Sequence, residues 1–300
     1  DVPEEYARLI QLFQHTNQAF PFEGNRIAVY TEGYTKLQSL LRELQKAKQH
    51  IHIEYYIFED DAIGRLVRDV LIEKASQGVE VRVIYDDVGC WHVPNRFFEE
   101  MRNAGIEVRS FLKVRFPLFT SRVNYRNHRK IVVIDGRIGF VGGMNLAERY
   151  MRGFSWGIWR DTHILIEGKA VHGLQTAFLL DWYFVDRTLI TASRYFPKIE
   201  SCGSSLVQVV TSEPIGPWKE IMQGLTMAIN GAKKYFYMQT PYFLPTEQVL
   251  AAMQTAALAG VDVRLMLPER ADNRITHLGS HSYLADVMQA GVKVYFYKKG

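Results

Sequence analysis

The chain has 300 residues, 47 % hydrophobic and 23 % charged, with a formal charge of +4. That balance is of an ordinary globular protein and excludes a low-complexity or disordered chain. Cys90 and Cys202 are its two cysteines, far apart and in no motif. They give neither a disulfide framework nor a metal-ligand spacing, and no apolar run is long enough to cross a bilayer.

The opening "DVPEEYARLIQLF" predicts a charged N-terminal helical segment within 1–24, not a leader peptide. Helix-period apolar residues follow in "TKLQSLLRELQKAKQ", "AIGRLVRDVLIEKASQG" and "NRFFEEMRNAG". Between and after them, β-branched and alternating runs predict strands at about 50–58, 79–87, 105–110 and 130–135. Strands alternating with helices argue an α/β fold whose sheet is largely parallel.

The same order then returns. "AKQHIHIEYYIF" (47–58) matches "AKKYFYMQTPYF" (232–243), "GVEVRVIYDD" (78–87) matches "GVDVRLMLPE" (260–269), and "MRNAGIEVRSF" (101–111) matches "VMQAGVKVYFY" (287–297). Three blocks in one order, offset by 185, 182 and 186 residues, predict two related halves. The polar stretch 188–205 reads as the join, so the expected units are 25–190 and 205–300.

Charge is concentrated in one place. Residues 109–160 hold eleven Lys/Arg against two acids, +9, which leaves −5 for the rest of the chain. Such a field draws phosphate, on nucleic acid or on anionic lipid. At its centre lies "NHRKIVVIDGRIGFVGGMN" (127–145). His128 and Lys130 are two apart, so on a strand they share a face. Asp135-Gly136 is a turn signal, and Gly142-Gly143 followed by Asn145 offers close backbone approach and a side-chain amide.

Phosphodiester attack needs a nucleophile, a proton donor for the leaving oxygen, and positive charge on the other oxygens. An imidazole can serve as nucleophile or acid. Lys130 and Asn145 suit the oxygens, and a carboxylate such as Asp135 could hold the imidazole tautomer. No metal or other cofactor is implied: there is no carboxylate cluster and no H-E-x-x-H. Each group also has a plain structural reading: a strand histidine, an edge lysine, a hairpin turn. The combination on one hairpin argues against those readings.

H-x-K-x4-D followed by G-G-x-N resembles the signature of the phospholipase D superfamily. "IEYYIFEDD" (53–61), "VIYDDVG" (83–89), "RNHRKIVVIDGRIGFVGGMNLAERY" (126–150), "WRDTHILIEG" (159–168), "LLDWYF" (179–184) and "QTPYFLP" (239–245) are similar to bacterial cardiolipin synthases. The resemblance implies a phospholipase D-like α/β fold: two related units, each a mixed sheet flanked by helices, with an H-K-D set from each meeting in one site. It also implies transfer of a phosphatidyl group from one phosphatidylglycerol, through a phosphatidyl-histidine, to the headgroup of a second, giving cardiolipin and glycerol. His128, Lys130 and Asp135 would be catalytic, and Asn145, Gly142 and Gly143 would support the phosphate. Glu54 and its repeat counterpart Gln239 are candidates for the cleft.

The partners so implied are phosphatidylglycerol and an anionic membrane surface rather than nucleic acid; oligomeric state is left open. Phe116, Leu118, Phe119, Arg115 and Arg122 interleave aromatic and basic groups, as a lipid-resting loop would. The expected place is the bacterial cell membrane, with the catalytic domain on its cytoplasmic side. A second H-K-D set is expected beyond Gly300, so the chain reads as a fragment, without membrane anchor and last strands, that is inactive alone. Two alternatives stand beside this: a phosphodiesterase or nuclease of the superfamily, and a non-catalytic fragment that binds anionic lipid.

Overall fold

The structure is a computed structural model, and it describes residues 4–111, 127–155, 157–213, 216–270 and 274–299. Its contacts divide the chain into two units. One comprises 21–154 and 158–209; the other comprises 1–20, 155–157 and 210–300.

The larger unit is built on an eight-stranded mixed sheet. In chain order its strands are β1 (Pro21–Glu32), β2 (His50–Tyr55), β3 (Glu80–Asp86), β4 (Glu107–Phe111), β5 (Ile131–Ile134), β6 (Ile138–Gly142), β7 (Arg160–Glu167) and β8 (Ser205–Gln208). In space they run β4-β3-β2-β5-β6-β7-β1-β8. β2, β3 and β4 are parallel, and from β2/β5 onward each pair is antiparallel.

Alternation along the strands sorts the residues onto two faces. Ile51, Ile53, Tyr55, Val132, Ile134 and Phe140 pack with Leu37, Leu40 and Leu44 of α2 (Gly33–Lys46), Val67 and Leu71 of α3 (Ala62–Ser76), and Phe97 and Met101 of α4 (Asn95–Asn103). Asp61 starts α3 by accepting from the backbone N–H groups of Ile63 and Gly64 at 3.0 and 2.9 Å, which satisfies two otherwise orphaned donors. Ile131, Val133 and Ile166 face the other way, onto Val171 and Leu174 of α6 (Val171–Asp186); Ile84 meets Phe178 and Trp182 of the same helix.

β2 is buried along its whole length, yet every second residue is polar: His50, His52 and Glu54. These face α6, where Gln175 and Asp181 meet them. His52 Nε2 faces the guanidinium of Arg82, a pure donor, at 3.2 Å, so the proton sits on Nδ1 and is donated to Gln175 Oε1 at 2.8 Å. The Gln175 amide then donates to His50 Nε2 and to the Tyr195 carbonyl, each at 3.0 Å. Both imidazoles are held neutral; burial pushes His50 down to about 4 and His52 well below its usual range.

The smaller unit has a three-stranded parallel sheet, β11-β10-β9, from β9 (Tyr235–Gln239), β10 (Asp262–Pro268) and β11 (Lys293–Tyr297). Val263, Leu265 and Leu267 of β10 form its core with Met253 of α8 (Glu247–Leu258), Ile229 of α7 (Glu220–Gly231) and Val287 of α10 (Leu284–Gln289). β9-β10-β11 repeats β2-β3-β4 in order, direction and sequence blocks, which is the duplication expected from the sequence. Among the described residues, no helix is long and apolar enough to cross a membrane.

Two features differ from expectation. β1 begins at Pro21, inside the stretch anticipated as helical to residue 24; the helix, α1, is Glu4–Asn17. The predicted strand 130–135 is shorter, Ile131–Ile134, so His128 and Lys130 lie on the loop that enters it.

Candidate active site

The loop entering β5 is fixed from below. Asn127 is buried; its backbone N–H meets Asp86 Oδ2 at 3.4 Å, and its amide donates to Glu54 Oε1 and, at 3.2 Å, to Asp181 Oδ2. Arg129 donates to Asp181 from the same loop. Burial, then the neighbouring Asp181 charge, raises Glu54 well above the carboxylate range. Burial and the Asp181 charge thus favour the neutral form of Glu54, while the Arg129 charge and the Asn127 amide oppose it. The expectation that Glu54 lines a cleft is corrected: it is a buried support beneath the loop.

On the outer side, the His128 ring is exposed and stacks on Tyr56, with centroids 3.9 Å apart and planes at 21°. Lys130 Nζ lies 5.8 Å from the same Tyr56 ring centre and donates to the His128 carbonyl. The two residues singled out as chemical thus share one aromatic platform. Partial burial, then the Lys130 charge, lowers the His128 pKa, with Asp86 opposing. Burial lowers Lys130 to about 8 while Asp161 raises it. At pH 7 the pair is a neutral imidazole beside an ammonium group.

Asp161 was not singled out from the sequence. It sits at the start of β7, its pKa raised by burial and opposed by the charges of Lys130 and Lys36. Lys36, on α2, is fully buried, donates to the Tyr55 hydroxyl at 2.9 Å, and is lowered by burial to about 7. Its signal was present: Lys36 interrupts the buried stripe Gly33, Leu37, Leu40, Leu44. His163 on β7 is buried beside both lysines and far below its ordinary pKa. Neither of its ring nitrogens has a partner among the described residues.

Gly142 and Gly143 are packed closely against β7. A Cβ on Gly142 would lie 2.5 Å from the His163 Cα, and one on Gly143 would lie 2.2 Å from Asp161 Oδ1. Their bare backbone makes room for the residues facing Lys130. Asn145 is buried, accepts from the Ile57 backbone N–H at 3.0 Å, and donates to the Tyr150 hydroxyl at 2.9 Å. One amide hydrogen of Asn145 is thereby committed away from any phosphate.

The expectation that Asp135 holds the imidazole is corrected. Its carboxylate accepts from the backbone N–H groups of Lys48 (2.9 Å), Gln49 (2.8 Å) and His50 (3.1 Å). β5 separates it from His128, and at about 3.3 Å per residue the two lie on the order of 20 Å apart. Gln239 ends β9 in the smaller unit and is exposed. Arg115, Phe116, Leu118, Phe119 and Arg122 lie outside the described residues.

A mixed α/β unit carrying H-x-K at the mouth of its sheet, on a repeated β-α-β frame, defines a phospholipase D-like protein. A family model described as "Cardiolipin synthase, PLD-like domain" matches residues 40–182 and 225–300. The chain belongs to that family. A cardiolipin synthase of Geobacillus kaustophilus is 44 % identical over 280 residues, covering 92 % of this chain and 56 % of the relative. The major cardiolipin synthase of Bacillus subtilis is 42 % identical over 296 residues, covering 97 % and 61 %. The chain therefore spans about three-fifths of the length of these relatives. Among solved structures, phosphatidylserine synthase of Haemophilus influenzae has the same fold, with a TM-score of 0.65 at 13 % identity over 97 % of this chain and 79 % of that one.

Proposed function

We propose that this chain is part of a phosphatidyltransferase that condenses two phosphatidylglycerol molecules to cardiolipin and glycerol. The observation that carries the reading is the His128–Lys130 pair on the Tyr56 ring, a neutral imidazole beside a cation. The relatives' name, cardiolipin synthase, supports the lipid substrate. In this reading an in-plane nitrogen of His128 attacks phosphorus, the P–O bond to glycerol breaks, and the departing oxygen takes a proton from a general acid. Lys130 balances charge on the non-bridging oxygens. The headgroup hydroxyl of a second phosphatidylglycerol then attacks phosphorus, giving its proton back to the conjugate base of that general acid, and the P–N bond to His128 breaks. Asp135 takes part as a clamp on the strand, not as a chemical group.

Membrane work and contact with anionic lipid through Arg115, Phe116, Leu118, Phe119 and Arg122 belong to the same proposal. So does an acid supplied by a second H-K-D set from the repeat.

The test is trapping of the intermediate. Phosphatidylglycerol labelled at phosphorus, in mixed micelles, is incubated with the chain, with a version extended through a second motif, and with His128→Ala of each. Label on the His128 peptide, lost in His128→Ala, supports the reading. Equal label in His128→Ala overturns it, and transfer from an oligonucleotide in preference to lipid replaces it with the nuclease reading.

A further inference from the structure

The expected orienter of the imidazole, Asp135, is engaged elsewhere. His128 stands on a loop rather than a strand, with an exposed ring. Two side-chain torsions are then free unless something fixes them, and the nucleophilic lone pairs lie in the ring plane. Among the described residues, Tyr56 stacks on a face of that ring.

Tyr56 is itself held. It follows the last residue of β2, and its carbonyl sits so close to the 89–90 turn that a Cβ on Gly89 would lie 2.1 Å from it. The Cys90 thiol lies 3.5 Å from the same carbonyl oxygen. On its other side, the N–H of Ile57 is bound by Asn145 Oδ1 at 3.0 Å. The peptide unit joining Tyr56 to Ile57 is therefore pinned at both its carbonyl and its N–H by two segments remote in sequence, one of them from the G-G-x-N stretch. That gives Asn145 and Gly89 a role at the site without touching a ligand.

We infer that Tyr56 is a positioning residue: its ring fixes the plane of the His128 imidazole and keeps Lys130 beside it. The inference rests on the reading of His128 as the reacting histidine. With the planes at 21°, the in-plane lone pair runs nearly parallel to the Tyr56 ring, so the ring sets the line of attack while leaving the imidazole edges uncovered. The negative π-face also favours cations, both the ammonium of Lys130 and the imidazolium that forms when His128 carries a proton. Neither effect uses the phenol hydroxyl, so phenylalanine should replace Tyr56 and leucine should not. A misplacement of 1 Å at a reacting atom costs on the order of 10²-fold in rate.

The experiment uses the chain labelled with [13Cε1]histidine, in which nine histidines report and His128→Ala identifies the His128 signal. In wild type and Tyr56→Phe the His128 signal should be displaced upfield by the facing ring, with an order parameter near ~0.85. In Tyr56→Leu it should move downfield and the order parameter fall below ~0.6, with the other eight signals in place as evidence of folding. In the trapping assay, label on His128 should fall at least ~10-fold in Tyr56→Leu and stay within ~2-fold in Tyr56→Phe. An unchanged His128 signal and order parameter in Tyr56→Leu, or a Tyr56→Phe as impaired as Tyr56→Leu, overturns the inference. If neither the wild-type chain nor the version extended through a second motif takes label, the proposed function fails, while the NMR arm still decides whether Tyr56 orders His128.

Discussion

Replacing Asp135 separates a structural carboxylate from a chemical one. In Asp135→Ala, three backbone donors at Lys48, Gln49 and His50 lose a charged acceptor. Hydrogen bonds to a charged group contribute roughly 1.5–3 kcal/mol each when buried, but this carboxylate is half-exposed and water can replace part of it, so about 3 kcal/mol is expected for the set. Asp135 also has φ +54°, a left-handed conformation that costs alanine about 1 kcal/mol more. Asp135→Asn keeps an acceptor and suits that backbone, so its cost should be nearer ~1 kcal/mol. Amide exchange at Lys48, Gln49 and His50 reads this directly: about 3 kcal/mol is a ~100-fold loss of protection, alongside a lower urea midpoint. A loss of less than ~1 kcal/mol in Asp135→Ala would refute the clamp. So would an Asp135→Asn that folds and exchanges like wild type yet takes no label from phosphatidylglycerol, because the carboxylate would then be acting in the chemistry.

Three further outcomes follow from the site and the network behind it. Gly143→Ala places a Cβ 2.2 Å from Asp161 Oδ1; it should destabilise by roughly 1–3 kcal/mol and, by displacing Asp161, carry the Lys130 pKa below about 8, read by [13Cε]lysine NMR. Because the folded pKa values of His50 and His52 are depressed, the unfolded chain binds more protons below pH 6.5. Stability is then fully present above 6.5 and falls as pH drops toward 4, by about 3 kcal/mol from His50 alone; a melting temperature flat from pH 7 to 4.5 would contradict this. Because burial favours the neutral form of Glu54, Glu54→Gln, a neutral group of the same shape, should cost less than ~1 kcal/mol, whereas Glu54→Leu removes one of the two acceptors of the Asn127 amide and should cost ~2–3 kcal/mol by chemical unfolding.

The sequence made the frame legible where pattern and geometry coincide. Strand alternation located β2, β3 and β4, and the offset blocks located their repeats, because a period of two and a duplicated order survive in any single chain. It also brought His128 and Lys130 together, since two residues so close cannot be far apart. It misassigned groups whose partners are remote in sequence. Asp135 is bound by amides some 85 residues away, and no spacing announces a backbone partner. Gly142 and Gly143 look like a ligand cradle until β7 is seen against them. Tyr56 goes unmarked in the sequence because stacking on a loop residue leaves no periodic trace. Lys36 could have been found as a charge on an apolar helical stripe.

The spacing between Lys130 and Asp135 gains a different meaning from the clamp. Four strand residues lie between a chemical end and an anchored end, so the interval H-x-K-x4-D encodes a length rather than a meeting place. The anchor is tied to the N-terminal end of β2, and the imidazole rests on the residue just past its C-terminal end, so β2 and β5 act as two rules laid edge to edge. Removing one residue from β5 would turn its faces over and carry His128 off its platform by about 3.3 Å. The acid of the motif thus works as a gauge stop: it calibrates, from the far side of the sheet, where the histidine comes to rest.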